Sequence, residues 1–313
     1  MTPPTEPFTA EKIGDLGART AVVTGPSLGG LGHHTALELA RHGARVLIAG
    51  RNATKVSQTA DAIRAEVPAA RVEQVALDLA SRESVTRASH DILARVDALD
   101  LLVNNAGVMA PPHQLTPDGI EVQMATNHFG PFLLSGLLLP ALSRSPDARV
   151  VTVSSQLHRL ARRAPLADPR RHDHTHRRWT AYGESKLANL LFTYELERRL
   201  RDAGLPIRAL AAHPGMAGTH LAVNSQVPVT SRLRASVLDG AIAAISQSAA
   251  RGALPTLWAA TGDLPGATYV GPRGPGELAG TPTLVTASRV ARDEDAQRRL
   301  WQLSEEVVGL RWP

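Results

Sequence analysis

The chain has 313 residues, 43% of them hydrophobic and 20% charged, with a formal net charge of +5 and no cysteine. Such a length buries a sizeable core in one large α/β domain, and the lack of cysteine excludes disulfides, thiolate metal sites and a cysteine nucleophile. The longest apolar run, Phe132 to Leu142, is about half a membrane span and no apolar leader opens the chain, so a cytoplasmic protein without membrane partners is expected.

Residues 1–17, with three prolines, read as a loosely ordered arm, and residues 18–313 as one domain. RTAVVTG (19–25) has the continuous apolar character of a buried strand. It runs into Thr24-Gly25-Pro26-Ser27-Leu28-Gly29-Gly30-Leu31-Gly32, a glycine-rich turn that opens a helix over 33–43. Glycines there let backbone approach a pyrophosphate, and the helix N-terminus offers N–H groups and positive dipole. His33, just after the turn, reads as helix surface, with a place in a phosphate pocket as the weaker alternative. A second strand, ARVLIAG (44–50), ends without an acid and is followed by Arg51. An NAD site commonly holds the ribose 2′-OH with Asp or Glu at this point, whereas an Arg fork suits a 2′-phosphate, so NADP(H) is favoured over NAD.

A helix over 53–67 stops at Pro68, and RVEQVALD (71–78), LDLLVNNAG (99–107), ARVVTVSS (148–155) and PIRALAAHPG (206–215) repeat the strand pattern with helices between. Strands of this kind alternating with helices predict a doubly wound parallel sheet of Rossmann type, covered on both faces, with chemistry beyond the carboxyl ends of the strands. His158 to Arg178 contains seven Arg against Asp168 and Asp173, which accounts for the whole net charge. The basic balance is therefore local, and no nucleic-acid partner is implied. His172, His174 and His176 sit among arginines that repel a cation, so a solvated loop is expected there and no metal site. Tyr182 and Lys186 stand four apart at the start of the helical stretch LANLLFTYELERRL, which places phenol and ammonium on one face. With three Tyr and three Lys in the chain, such a pair is unexpected by chance. A cation beside the phenol would lower its pKa and suit it to proton transfer. The C-terminal run ARDEDAQRRLWQLSEEVVGL reads as an amphipathic helix with Leu300, Leu303 and Val307 inward, serving the core or a subunit contact; a homo-oligomer is left open.

Taken in order, these motifs resemble the short-chain dehydrogenase/reductase superfamily, and the wording of TNHFGPFLL, VVTVSS and AYGESKLANLLF looks most like its retinol-dehydrogenase-like and WW-domain-oxidoreductase-like branch. The resemblance implies an oxidoreductase that interconverts a carbonyl and a hydroxyl on a hydrophobic small molecule. Tyr182 would be the general acid/base, Ser155 would hydrogen-bond the reacting oxygen, and Lys186 would hold the nicotinamide ribose. Asn127 would shape its helix and support a water relay. Gly25, Ser27, Gly30, Leu31, Gly32 and Arg51 would hold phosphates. Asp78 and Leu79 would meet the adenine, Asn105, Ala106 and Gly107 its ribose, and Pro214, Gly215 and Thr219 the nicotinamide. A substrate-covering flap is expected over about 216–250. The glycine turn departs from the family's TGxxxGxG by one extra residue, Leu28 or Gly29, and the segment 158–178 is an insertion between Ser155 and Tyr182. A non-catalytic nucleotide-binding regulator is one alternative, against which the intact Asn127, Ser155, Tyr182 and Lys186 argue. An epimerase or dehydratase of the same fold is the other.

Overall fold

The computed structural model describes residues 6–170, 177–216 and 247–312. Six parallel strands carry the sheet: β1 (Thr20–Thr24), β2 (Arg45–Gly50), β3 (Arg71–Ala76), β4 (Leu101–Asn104), β5 (Ala148–Val153) and β6 (Ile207–Ala212). These are the strands expected from the sequence. Two more extend it, β7 (Tyr269–Pro272), parallel to β6, and β8 (Pro282–Leu284), antiparallel to β7. Both are short and proline-bearing, and β8 lies at the sheet edge, where a missing N–H breaks no ladder.

The strand order is β3-β2-β1-β4-β5-β6-β7-β8, which reverses direction between β1 and β4. In an α/β sheet that reversal opens a crevice at the carboxyl ends of the strands. Side chains alternate across the sheet, and both faces are buried: Val22 joins one apolar cluster while Ala21 and Val23 join the other, all fully enclosed. Among the described residues, α1 (Leu31–Arg41), α2 (Ala53–Glu66) and α3 (Arg82–Arg95) follow the first three strands. A single turn, α4 (Val122–Met124), and a π-helical turn (Ala125–Phe129) lead into α5 (Gly130–Leu142). That helix is apolar almost all round and is mostly buried, as such a helix must be. The long α6 (Arg178–Asp202) precedes β6, and α7 (Ala249–Thr261) and α8 (Glu294–Val308) complete the layers.

Two parts of the chain pack more closely than the sequence suggests. Residues 6–17 are no loose arm: Phe8 and Ile13 are 7% and 5% exposed, and Phe8 stacks on Trp258 of α7 with centroids 6.0 Å apart. His158 opens the Arg-rich insertion, yet it is fully buried in the 3₁₀ turn Gln156–Leu160. Replacing Phe8 with alanine should lower the unfolding free energy by about 3 kcal/mol, read by urea denaturation, because a buried ring leaves a cavity behind. A loss under about 0.5 kcal/mol, the range of neutral surface changes, would show that the segment is not docked.

Candidate active site

The glycine-rich turn between β1 and α1 sets the first wall. Gly25 has φ +67°, and a Cβ there would lie 2.7 Å from the Ala106 Cα. A Cβ on Gly32 would lie 2.6 Å from the Gly25 carbonyl. Both positions therefore admit glycine alone, which presses α1 onto β1 and β4. Asn105 Nδ2 donates to the carbonyls of Thr24 (2.7 Å) and Gly25 (3.1 Å), joining the turns after β1 and β4. The extra residue of the turn is absorbed outward: Leu28 is 45% exposed, Gly29 takes φ +72°, and the Gly30 N–H closes on Ser27 O at 2.8 Å. His33 is not helix surface. It is 5% exposed, its Nδ1 accepts from the Gly29 N–H (3.1 Å), and burial lowers its pKa.

The opposite wall comes from β5 and α6. Ser155 ends the segment after β5, and its Oγ accepts from the Leu157 N–H at 3.2 Å. Tyr182, on α6, is 6% exposed and its phenol faces the Ser155 side chain. Lys186 is 4% exposed, and its Nζ donates to Val153 O at 3.0 Å. Asn127 lies in the π-helical turn; its Oδ1 accepts from the Val108 N–H (2.8 Å) while Nδ2 donates to Val108 O (3.0 Å) and Ser185 Oγ (2.9 Å). Three residues after Ser155, His158 accepts from the Ser288 N–H through Nε2 (3.1 Å), which leaves Nδ1 to donate to Ser155 O (2.7 Å). Burial holds this imidazole neutral, with its pKa down at about 4.

One cavity of about 570 Å³ joins the two walls. Gly25, Ser27, Gly30, Leu31 and Gly32 line it at the turn, with Arg51 after β2 and Asp78 and Leu79 after β3. Asn105, Ala106 and Gly107 line it after β4, then Ser155, Tyr182 and Lys186, and Pro214 and Gly215 after β6. Asn127 stands behind the wall, fully buried, and Thr219 lies outside the described residues, as do His172, His174 and His176. Leu157, Trp179 and Leu278 also line the cavity without being expected from the sequence; Met216 lines it at the start of the expected flap, of which 217–246 lie outside the described residues. Trp179 carried a readable signal, standing three residues before Tyr182 on the same helix. Leu278 carried none, since it arrives from a distant loop.

The cavity suits a dinucleotide. The N-terminus of α1 has no side-chain cap, so the first-turn N–H groups beside Leu31 and Gly32 are unclaimed donors facing a place for phosphate. A Cβ on Gly107 would sit 3.3 Å from Lys186 Nζ and 3.2 Å from Asn127 Oδ1, so glycine keeps that stretch of wall open.

The electrostatics differ from the sequence expectation. Lys186 was expected to lower the Tyr182 pKa, but its Nζ lies 5.8 Å from the ring centroid and bonds a carbonyl instead. Burial pushes Tyr182 up from 10.0 to about 12, with the nearby Ser155 side chain opposing, and pulls Lys186 down to about 8. Tyr194 is likewise raised to about 12 by burial, and Tyr269 is raised further. Folding thus favours neutral phenol: the preference contributes in full below pH 10 and is lost as the pH rises through 12. The folded, unliganded chain should show almost no phenolate absorbance at pH 10, where the unfolded chain is half ionised. A spectrophotometric titration with a phenolate midpoint below 10 would contradict this.

Known proteins are similar to this chain in sequence and fold. The family model described as short chain dehydrogenase matches residues 19–165. Retinol dehydrogenase 13 of Homo sapiens is 36% identical over 299 residues, covering 94% of this chain and 86% of that protein. Retinol dehydrogenase 12 of Homo sapiens is 35% identical over 302 residues, covering 95% and 88%. The crystal structure of an uncharacterized protein from Mycobacterium Paratuberculosis superposes with a TM-score of 0.80 at 42% identity, covering 98% of this chain and all of the other. The chain therefore belongs to the retinol-dehydrogenase-like branch of the short-chain dehydrogenase/reductase superfamily and is an oxidoreductase acting on CH–OH groups.

Proposed function

We propose that the protein is an NADP(H)-dependent oxidoreductase that interconverts a carbonyl and a hydroxyl group on an apolar small molecule. The observation that carries this reading is the meeting of Tyr182, Ser155 and Lys186 on one cavity wall, the phenol facing the serine side chain. A nicotinamide cofactor bound in the cavity supplies or accepts the hydride. Tyr182 gives a proton to the substrate oxygen during reduction and takes it back during oxidation. The Ser155 hydroxyl holds that oxygen beside the phenol, and the Lys186 cation favours charge developing on it. The unliganded site presents Tyr182 as a neutral phenol, ready as a donor.

Arg51 supports the preference for NADP(H). It is exposed at the cavity edge and forms no ion pair among the described residues, while no acid stands after β2 to hold a 2′-hydroxyl. Apolar surface supports the substrate class: Met109, Leu157, Trp179, Met216 and Leu278 line the same cavity, and Trp179 is 40% exposed there.

Oxidation of NADPH and of NADH, measured against a panel of carbonyl compounds, tests both parts. Tyr182→Phe should lower kcat by about 10²- to 10⁴-fold, the range of a lost proton donor. Turnover that survives this substitution removes the assigned role. Arg51→Ala should weaken NADPH by about 10- to 100-fold and leave NADH nearly unchanged, because a charge-assisted bond to phosphate is lost. Equal use of both cofactors by the unsubstituted protein would refute the preference.

A further inference from the structure

The loop between β7 and β8 contains backbone that side-chain-bearing residues avoid: Glu277 has φ +56°, directly after Gly276 at φ +62°. Such a conformation persists only where the surroundings impose it. Here the Glu277 carboxylate provides the hold. It accepts from His213 Nε2 at 3.0 Å and from Gln156 Nε2, and the Arg159 guanidinium lies 3.5 Å away. His213 is fully buried, and its Nδ1 accepts from the Gly215 N–H at 3.2 Å. That bond leaves the imidazole proton on Nε2, aimed at Glu277. Burial keeps the imidazole neutral, while the hydrogen bond from His213 holds Glu277 below the usual carboxylate range.

The two partners of this carboxylate stand beyond the ends of neighbouring strands, β5 and β6. Gln156 follows Ser155, and His213 precedes Pro214 and Gly215. The backbone around Glu277 repeats the connection: the Met216 N–H donates to Leu278 O at 2.7 Å. Gln247 spans the same region, donating through Nε2 to Pro214 O (2.7 Å) and accepting at Oε1 from the Gly280 N–H (3.2 Å). Gln156, Pro214, Gly215, Met216 and Leu278 all line the cavity.

We infer that Glu277 is a positioning residue, whose carboxylate ties the segment carrying Ser155 to the Pro214–Met216 wall and so sets the width of the cavity at its reactive end. The inference rests on the proposed roles of Ser155 and Tyr182. Glu277 touches neither hydroxyl; it acts through Gln156 and His213. His213 and Gln156 both donate to the same oxygen, Oε2, so glutamine, with one acceptor oxygen and the same side-chain length, keeps both ties and loses only the charge and the contact of Oε1 with Arg159. Alanine removes both.

Hydrogen exchange of the unliganded protein, followed by mass spectrometry, reads the clamp without any turnover. In Glu277→Ala, peptides covering 155–160 and 213–216 should open together, about tenfold faster, with β1 to β3 unchanged. Glu277→Gln, which keeps the acceptor for both donors, should stay close to the parent. With carbonyl substrate and NADPH, kcat of the alanine variant should drop by about 10- to 100-fold, as for a small misplacement of reacting groups, while substrate KM changes less than about threefold. Acceleration in only one of the two peptides, in neither, or evenly through the whole chain in both variants overturns the inference. So does unchanged kcat alongside faster exchange. Paired opening in a protein whose parent form shows no turnover supports the clamp and overturns the roles given to Ser155 and Tyr182.

Discussion

The register of α6 against the carboxyl end of β5 is the constraint on which the site depends. Lys186 Nζ and Asn189 Nδ2 both donate to Val153 O, at 3.0 and 3.2 Å, and Ser154 Oγ donates to Lys186 O at 2.8 Å. One residue before Lys186, Ser185 Oγ donates to Tyr182 O and accepts from Asn127 Nδ2. The surrounding interface is apolar, with Leu187, Ala188, Leu190 and Leu191 fully enclosed, so apolar burial holds the helix down without fixing where it sits along the strand. The polar contacts do that. Sliding the helix would strand several buried donors and acceptors at about 1–3 kcal/mol each. Once Val153 and Lys186 are paired, helical geometry places Tyr182 one turn back, beside Ser155.

The same burial that fixes this register also sets the charges. Lys186 and Tyr182 are shifted in opposite directions, yet each toward its neutral form, by desolvation. A resting site of this kind keeps its proton on the phenol and holds its cation weakly. The uncapped first turn of α1, at the other end of the cavity, is complementary: it offers partial positive charge with no side chain to satisfy it. A ligand that is anionic at one end and presents hydroxyls or a carbonyl at the other meets an unsatisfied group at each end. The protein is thus arranged around the polarity of an elongated ligand as much as around its shape.

Much of this was legible in the sequence because it is local. Continuous apolar runs give β1 to β6, the strand–turn–helix glycines give the turn that lines the cavity beside α1, and helical spacing gives Tyr182 with Lys186. The unread parts depend on groups that meet only in space. Phe8 lies in a proline-rich leader and is buried because Trp258 lies over it. β7 and β8 are too short to show a pattern, and their prolines argue against strands until the edge position is known. The tie between His213 and Glu277 joins residues with no shared motif, and a left-handed glutamate cannot be foreseen without the partners that hold it. For Tyr182, spacing reports that a lysine is near. It does not report that the ammonium turns to Val153 O, nor that desolvation then decides the sign of the shift.

The lengthened glycine turn shows why one extra residue leaves the site intact. A phosphate end of this type needs close backbone contact between the first glycine and the strand beside it, and close packing of the helix on the sheet. Both survive here, since neither Gly25 nor Gly32 has room for a Cβ. The added length bulges toward solvent at Leu28 and Gly29, and the positive φ of Gly29 lets the chain return to start α1 at Leu31. The bulge then needs an anchor, because Gly30 as N-cap has no side chain to pin the turn. His33 provides it by reaching back to the Gly29 N–H, which requires an unprotonated Nδ1 and hence a buried, neutral ring. The insertion and the buried histidine therefore form one feature: a longer loop is tolerated because the helix it feeds supplies the group that closes it.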